Sequence, residues 1–410
     1  MEKDKLWSRD FIGITTISFF IFLAFYSLLT TLPLYMVGTL HAGAIQVGLV
    51  LTLFLLPAIL VRPISARSLV RWPQKELLVF STVSFFIATL LYPFAKNLSL
   101  ILALRIFHGI TFGIITTVKG TICAELIPTS RRGEGLSYFS LAMTLAMVFG
   151  PFIGLNLGNI GAYDIVFAIC MAISAVNIVF ALLIKIPPQN IQHEKSHKSH
   201  AFSFSDVIDK RAVPYALATF LLAYAYSGIS AFLALYAKDL GLVKAAGYFF
   251  IVYAIFILML RPFTGRWSDK YGANLVIYPS IAIFAVGMLI LQQTRTAGLL
   301  VIAGAVIGIG YGSVTPIFQS QTINSLEPHR VGIANSMFFS SMDAGMATGA
   351  YLLGMIASSF GYRSVYLVGA GIILATGIVY FALTNLRAPE LPILSERPTG
   401  IAFENLGNDA

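Results

Sequence analysis

Cysteine and charge are what this chain has least of. Two cysteines in 410 residues, Cys123 and Cys170, both sit inside apolar runs, which excludes a disulfide framework and reads them as small core residues. Charged side chains make up 11%. A soluble globular domain carries about a quarter, so that class is excluded as well. No phosphate-binding Walker loop, hydrolase elbow or metalloprotease helix occurs, so neither an enzyme nor a cofactor or metal is expected, and an ion gradient is the expected energy source.

What is present is apolar: 57% of the residues, with a mean hydropathy of +0.83. Splitting at charges, Pro, Gly and polar clusters gives twelve blocks, at 11–36, 44–61, 77–95, 98–124, 136–158, 165–185, 213–236, 245–260, 274–292, 298–323, 332–357 and 364–386. A helix of about 20 apolar residues crosses roughly 30 Å of hydrocarbon, so these are twelve expected transmembrane helices. Continuous rather than alternating apolarity excludes a membrane β-barrel. The first block is too long for a signal-peptide core and has no small-residue cleavage site, so it is expected to be retained.

With the N-terminus in the cytoplasm, 20 of the 27 Lys and Arg fall on cytoplasmic loops, five on the opposite side, and two, Arg105 and Lys119, inside spans. Both termini are therefore expected in the cytoplasm, in a multi-pass protein of the cell membrane. The net charge of +9 then belongs to loops beside anionic lipid, and a nucleic-acid partner is excluded.

The longest polar stretch divides the spans six and six, and one half slides over the other in register. Arg62-Pro63 falls on Arg261-Pro262, and Arg67 on Arg266, at an offset of 199, while Pro128 on Pro328, Phe139-Ser140 on Phe339-Ser340 and Gly154 on Gly354 share an offset of 200. The expected architecture is all-α: twelve transmembrane helices as two pseudo-symmetric six-helix bundles, at 1–186 and 213–388, with a linker at 187–212 and a tail at 389–410. Such duplications put the substrate site between the halves near the bilayer midplane. His193, His197 and His200 in the linker have metal-ligand spacing, but such a tract more often belongs to a solvated linker.

Over essentially its whole length the chain resembles the major facilitator superfamily, whose loop between helices two and three carries Gly-x-x-x-Asp-Arg/Lys-x-Gly-Arg/Lys. The echo between helices eight and nine keeps it, with Gly265, Arg266, Asp269 and Gly272, whereas the first copy has Ala66, Val70 and Pro73 at the matching places. In the family the Asp holds the outward-open state by facing a helix N-terminus of the other half, a contact of roughly 0.3 to 2 kcal/mol. The resemblance implies gating through Asp269 with Arg62, Arg67 and Arg71, together with Arg131, Arg132 and Glu134. Arg105 to Gly109 looks like the Arg-x-x-Gln-Gly element of helix four, with His108 for Gln, and Gly150-Pro151 with Gly154 resembles the helix-five element of the drug-proton antiporter branch. The run from Arg131 to Ser140 is similar to bacterial sugar-efflux-like and opine-metallophore exporters.

Ionisable residues inside a membrane cost about 2.5 to 3.5 kcal/mol each, so each calls for a partner or a task. Arg105, His108 and Lys119 lie within about 60° on one helical face, with Arg105 and Lys119 about 21 Å apart. Either this stripe lines a cavity for an anionic solute or carries protons, or Arg105 and Lys119 snorkel to opposite interfaces and His108 is a bonded core residue. Asp343 is the sole acid well inside a span and the expected proton carrier, with His108 and Arg105; pairing for structure alone, or exposure in a watery vestibule, is the other reading of it. Tyr26, Thr30, Tyr224, Tyr226, Tyr311 and Gln319 join Lys119 as expected cavity residues, and Tyr35 is expected in the interfacial belt. These residues point to a monomeric secondary transporter in the lipid bilayer, exporting a small organic solute, anionic or drug-like, in exchange for H+ through a hydrated cleft. A proton-coupled importer and a transport-inactive receptor are the alternatives.

Overall fold

The computed structural model describes residues 6–128, 131–186, 209–326 and 331–385. Most of the expected linker, the expected tail and the tract of His193, His197 and His200 lie outside them. The described chain is all-α, in twelve long helices: α1 Arg9–Leu40, α2 Ala44–Arg71, α3 Gln74–Leu90, α4 Leu98–Leu126, α5 Arg132–Asn159, α6 Tyr163–Leu183, α7 Val213–Asp239, α8 Val243–Tyr271, α9 Ala273–Gln292, α10 Ala297–Asn324, α11 Val331–Phe360 and α12 Tyr362–Asn385. A short 3-10 turn, Tyr92–Phe94, follows α3. An even number of spans brings both ends of each half to the side where residues 186 and 209 lie, here the linker side; the other is the far side.

Local chemistry repeats with the halves. Asn97 caps α4 by accepting from the Leu100 amide at 2.8 Å, and 199 residues on Thr296 caps α10 by accepting from Leu299 at 3.3 Å. Packing repeats too: α1 lies on α5 and α6, α2 on α4, and α3 on α4 and α6, while α7 lies on α11 and α12, α8 on α10, and α9 on α10 and α12. Three seams join the halves, α2 on α11, α5 on α8 and α1 on α7. Eleven of the twelve helices are long and apolar enough to cross a membrane; α11, which carries Asp343, Asn335 and several serines and glycines, is the exception.

The second and eighth blocks were expected to end at residues 61 and 260, with the repeated motif in loops, but α2 runs to Arg71 and α8 to Tyr271. Arg62, Arg67, Arg71, Gly265, Arg266 and Asp269 therefore ride on helical ends. The physical reason is that charge marks where hydrocarbon stops, whereas a helix ends where its backbone bonding stops. Gly272 closes α8 with φ at +89°, a backbone conformation glycine adopts without strain. The first copy turns the same corner with Trp72 and Pro73 in extended and proline geometry instead.

Candidate functional site

The seam between α2 and α11 is tight on the far side because small residues let the backbones meet. A Cβ on Gly48 would stand 2.2 Å from the Ala350 carbonyl oxygen, and one on Gly354 would stand 2.9 Å from that of Ala44. Thr52 Oγ1 donates across the seam to the Ala347 carbonyl at 2.6 Å. Further toward the linker side, Arg62 Nη1 forms an ion pair with Asp343 Oδ2. From Thr52 to Arg62 is about 15 Å along α2, but from Ala347 to Asp343 only about 6 Å along α11. The arginine stem spans that difference, so a side chain joins the helices where backbones did on the far side.

Asp343 is 6% exposed, and Arg62 keeps a somewhat larger exposure. A cluster of buried tyrosines from several elements reaches toward the carboxylate. Tyr26 of α1 and Tyr311 of α10 lie within its electrostatic reach, and Tyr226 of α7 stacks on Tyr311 with ring centroids 4.3 Å apart and planes 6° from parallel. Tyr253 of α8 lies over Tyr226 at 6.1 Å. Tyr26, Tyr226, Tyr253 and Tyr311 are all buried. In this conformation buried rings fill the region around these tyrosines, and Asp343 is paired with a cation rather than exposed in a vestibule.

The expected cationic stripe on α4 divides. Arg105 is fully buried; its Nε donates to the Val50 carbonyl at 3.2 Å, its Nη1 to Tyr92 Oη at 3.2 Å, and its guanidinium lies 4.1 Å over the Phe54 ring. His108 Nδ1 shares the same Tyr92 hydroxyl at 3.0 Å and is edged by Phe85 and Phe54. Every one of these partners belongs to the first half. On α2 the cluster meets Val50 and Phe54, and among the described residues no hydrogen bond or ion pair joins Arg105 or His108 to Asp343. Lys119, at the other end of the stripe, donates to Ser18 Oγ at 2.5 Å and lies over the rings of Phe22 and Phe139. It is 2% exposed, so it does not snorkel, and Arg105 does not either. One helical face meets different neighbours at its two ends, which the angular spacing alone does not reveal.

Other expected cavity residues are committed to packing. Thr30 turns its hydroxyl back to the Tyr26 and Ser27 carbonyls at 3.2 and 3.1 Å and packs on Gly154. In this conformation its donor is thus used within α1. Gly150 lies against Tyr26 and Gly154 against Ser27 and Thr30, so the helix-five element with Pro151 serves the α1–α5 contact. Gln319 donates to Asn335 at 3.2 Å, between α10 and α11, and the Tyr224 carbonyl lies against Gly349. Tyr35 packs edge-on against Tyr163 and Phe167. Arg266 is exposed and Gly265 has open space around it. The side chains of Arg67, Arg71, Arg132, Glu134 and Asp269 lie outside the described residues, and Arg131 is the residue before α5.

Sequence reasoning did not single out Tyr92, Ser18 or Tyr253, and it placed Arg62 in a gating loop rather than opposite Asp343. The available signal was the count of buried charges: a lone acid in one half and an arginine at the rim of the other are natural partners.

A family model described as Major Facilitator Superfamily matches residues 14–291 and again 215–404. A multi-drug resistance efflux pump PmrA homolog of Lactococcus lactis is 26% identical over 404 residues, covering 94% of this chain and 96% of that one. The staphylopine export protein of Staphylococcus aureus is 22% identical over 351 residues, covering 82% and 86%. Among solved structures, a bacterial homolog of the human lysosomal transporter Spinster, inward-facing and unoccupied, superposes with a TM-score of 0.76 at 13% identity over 93% of this chain and 98% of that one. At that identity the likeness speaks for the fold alone.

Proposed function

The chain belongs to the major facilitator superfamily and is a membrane transporter rather than an enzyme, and from that premise we propose that it exports a small organic solute in exchange for H+ by alternating access. One observation carries the reading. The sole acid well inside a span is held by an arginine of the opposite half, so the protonation state of Asp343 bears directly on how firmly the halves are joined. A proton arriving at Asp343 removes the charge that holds Arg62, the α2–α11 seam loosens where only side chains bridge it, and the molecule tips. Export is favoured by the likeness to the multi-drug resistance efflux pump homolog and to the staphylopine export protein.

The bias of 20 basic residues against five supports a linker side in the cytoplasm, in a protein of the cell membrane. The far seam, closed by Gly48 and Gly354, is then the outer gate. Arg67, Arg71, Gly265, Arg266, Asp269, Arg131, Arg132 and Glu134 sit at the cytoplasmic ends, where we assign them to gating. One chain supplies both halves of the site, which fits a functional monomer, with domains at 1–186 and 213–388.

The test uses everted membrane vesicles from cells producing the full chain, with untargeted comparison of solutes gained under an imposed pH gradient. Wild type is expected to accumulate at least one solute that Asp343→Asn does not. Gradient-driven accumulation by the Asn variant equal to wild type would overturn the reading, and uptake into intact cells instead would make the protein an importer.

A further inference from the structure

Asp343 is a buried carboxylate with Tyr26 and Tyr311 in its electrostatic reach, and the group resting on it is a guanidinium borrowed from the other half of the molecule. That arrangement says what kind of head group the site is built to hold. Four observations bear on it.

First, Arg62 is the only charged partner of Asp343 among the described residues, and it arrives by extension of its stem across a register difference of about 9 Å rather than by backbone proximity. A guanidinium held in this way is free to leave toward the linker side, where Arg62 already keeps some exposure, without moving α2 as a whole. Second, Tyr26 and Tyr311 lie within electrostatic reach of the carboxylate, and Tyr311 belongs to a buried stack with Tyr226 and Tyr253, an aromatic surround of the kind that accommodates organic cations. Third, the cation that would serve an anionic solute is already engaged. Lys119 gives a hydrogen to Ser18 at 2.5 Å and lies over Phe22 and Phe139, with Arg62 as a charged neighbour. Fourth, Arg261, at the place of Arg62 in the second repeat, meets the neutral Thr144 at 3.0 Å and, among the described residues, no acid. The carboxylate on α11 is an addition to that frame.

The sign of coupling points the same way. A cation and a proton both neutralise Asp343, so each excludes the other, which is the competition that exchange requires. An anion would instead take Arg62 while the proton takes Asp343, and the two would bind together. We propose that the Asp343 site receives the guanidinium, amidinium or protonated amine of an organic cation, and that Arg62 is a tethered competitor occupying the carboxylate in its absence. This rests on the exchange reading above for its direction, but the binding itself does not.

The experiment is a titration of the purified full chain in detergent with three probes of similar size, N-benzylguanidine, its neutral counterpart N-benzylurea, and the anion phenylacetate, with monodispersity checked for each variant. Wild type is expected to bind N-benzylguanidine at least about tenfold more tightly than N-benzylurea, a preference that fades as pH falls because protons compete at about tenfold per unit. Arg62→Ala is expected to tighten N-benzylguanidine binding, by roughly tenfold if the paired state is the dominant one. Asp343→Asn is expected to abolish the preference over N-benzylurea. Equal affinity for N-benzylguanidine and N-benzylurea, preference for phenylacetate lost in Arg62→Ala, or no binding of N-benzylguanidine to monodisperse wild type and Arg62→Ala would each overturn the proposal. If N-benzylguanidine binds as expected but its gradient moves no protons across proteoliposomes, the exchange reading fails and the cation site stands.

Discussion

Arg261 of α8 donates to Thr144 of α5 at 3.0 Å, from the place in the second repeat that Arg62 holds in the first. Each repeated arginine crosses to the fifth helix of the opposite half. One meets a hydroxyl and the other a carboxylate, since Asp343 aligns with Met143, next to Thr144. The two seams share geometry and differ in charge, and that difference is where a proton has leverage.

The pair makes the first prediction. Arg62→Met and Asp343→Leu each strand a charge in a largely buried place, and each is expected to lower stability by about 3 kcal/mol, whereas the double variant recovers most of the loss. Arg261→Met gives up one hydrogen bond and is expected to cost only about 1 kcal/mol. A double-mutant cycle by thermal unfolding in detergent measures this; strictly additive single effects would deny the pair any energetic role.

Two glycines with similar surroundings are expected to fail differently. A Cβ on Gly109 would meet the Phe54 carbonyl oxygen at 2.0 Å inside the first bundle, and one on Gly48 would meet Ala350 at 2.2 Å across the seam. Gly109→Ala should therefore cost about 1 to 3 kcal/mol of folding stability. Gly48→Ala should leave a folded protein that closes the far side poorly. Thermal unfolding in detergent reports the difference, with the midpoint falling in the Gly109 variant and largely kept in the Gly48 variant.

The cluster of Arg105, Tyr92 and His108 is expected to act on stability and not on coupling. Tyr92→Phe removes the hydroxyl on which Arg105 and His108 converge and should cost about 1 to 3 kcal/mol. The pH profile of transport should keep its midpoint. A displaced midpoint with unchanged stability would return His108 and Arg105 to the proton path.

How far the residues themselves announced this arrangement varies from one to the next. Twelve spans and the 199-residue echo are legible because apolar length and repeated Arg-Pro pairs are local properties of the chain. The ends of α2 and α8 are not, since a helix continues through Arg62 and Arg261 after the hydrocarbon has stopped. Arg105, His108 and Lys119 do share one face of α4, but the neighbours of that face depend on which helices pack there. Asp343 stood out as a lone acid, while its partner was hidden because contacts across a pseudo-twofold axis join positions that do not align with each other.

Lys119 offers the last test. Arg62 lies within its electrostatic reach, so Lys119→Glu would give that arginine a second carboxylate to turn to. Asp343 would then be freer, and N-benzylguanidine is expected to bind about two- to fivefold more tightly. Unchanged affinity would separate Lys119 from the site.

The modest apolarity of α11 has a consequence for how the protein is made. Eleven helices have composition enough to enter a bilayer alone, but α11 carries a carboxylate whose insertion is costly when unaccompanied. Its counter-charge, Arg62, emerges from the ribosome far earlier, so the first half must wait in the membrane as a receptor for this late segment. Nascent chains lacking α2 should therefore leave α11 outside the lipid, where an engineered glycosylation acceptor beside Phe360 would fail to reach the lumen.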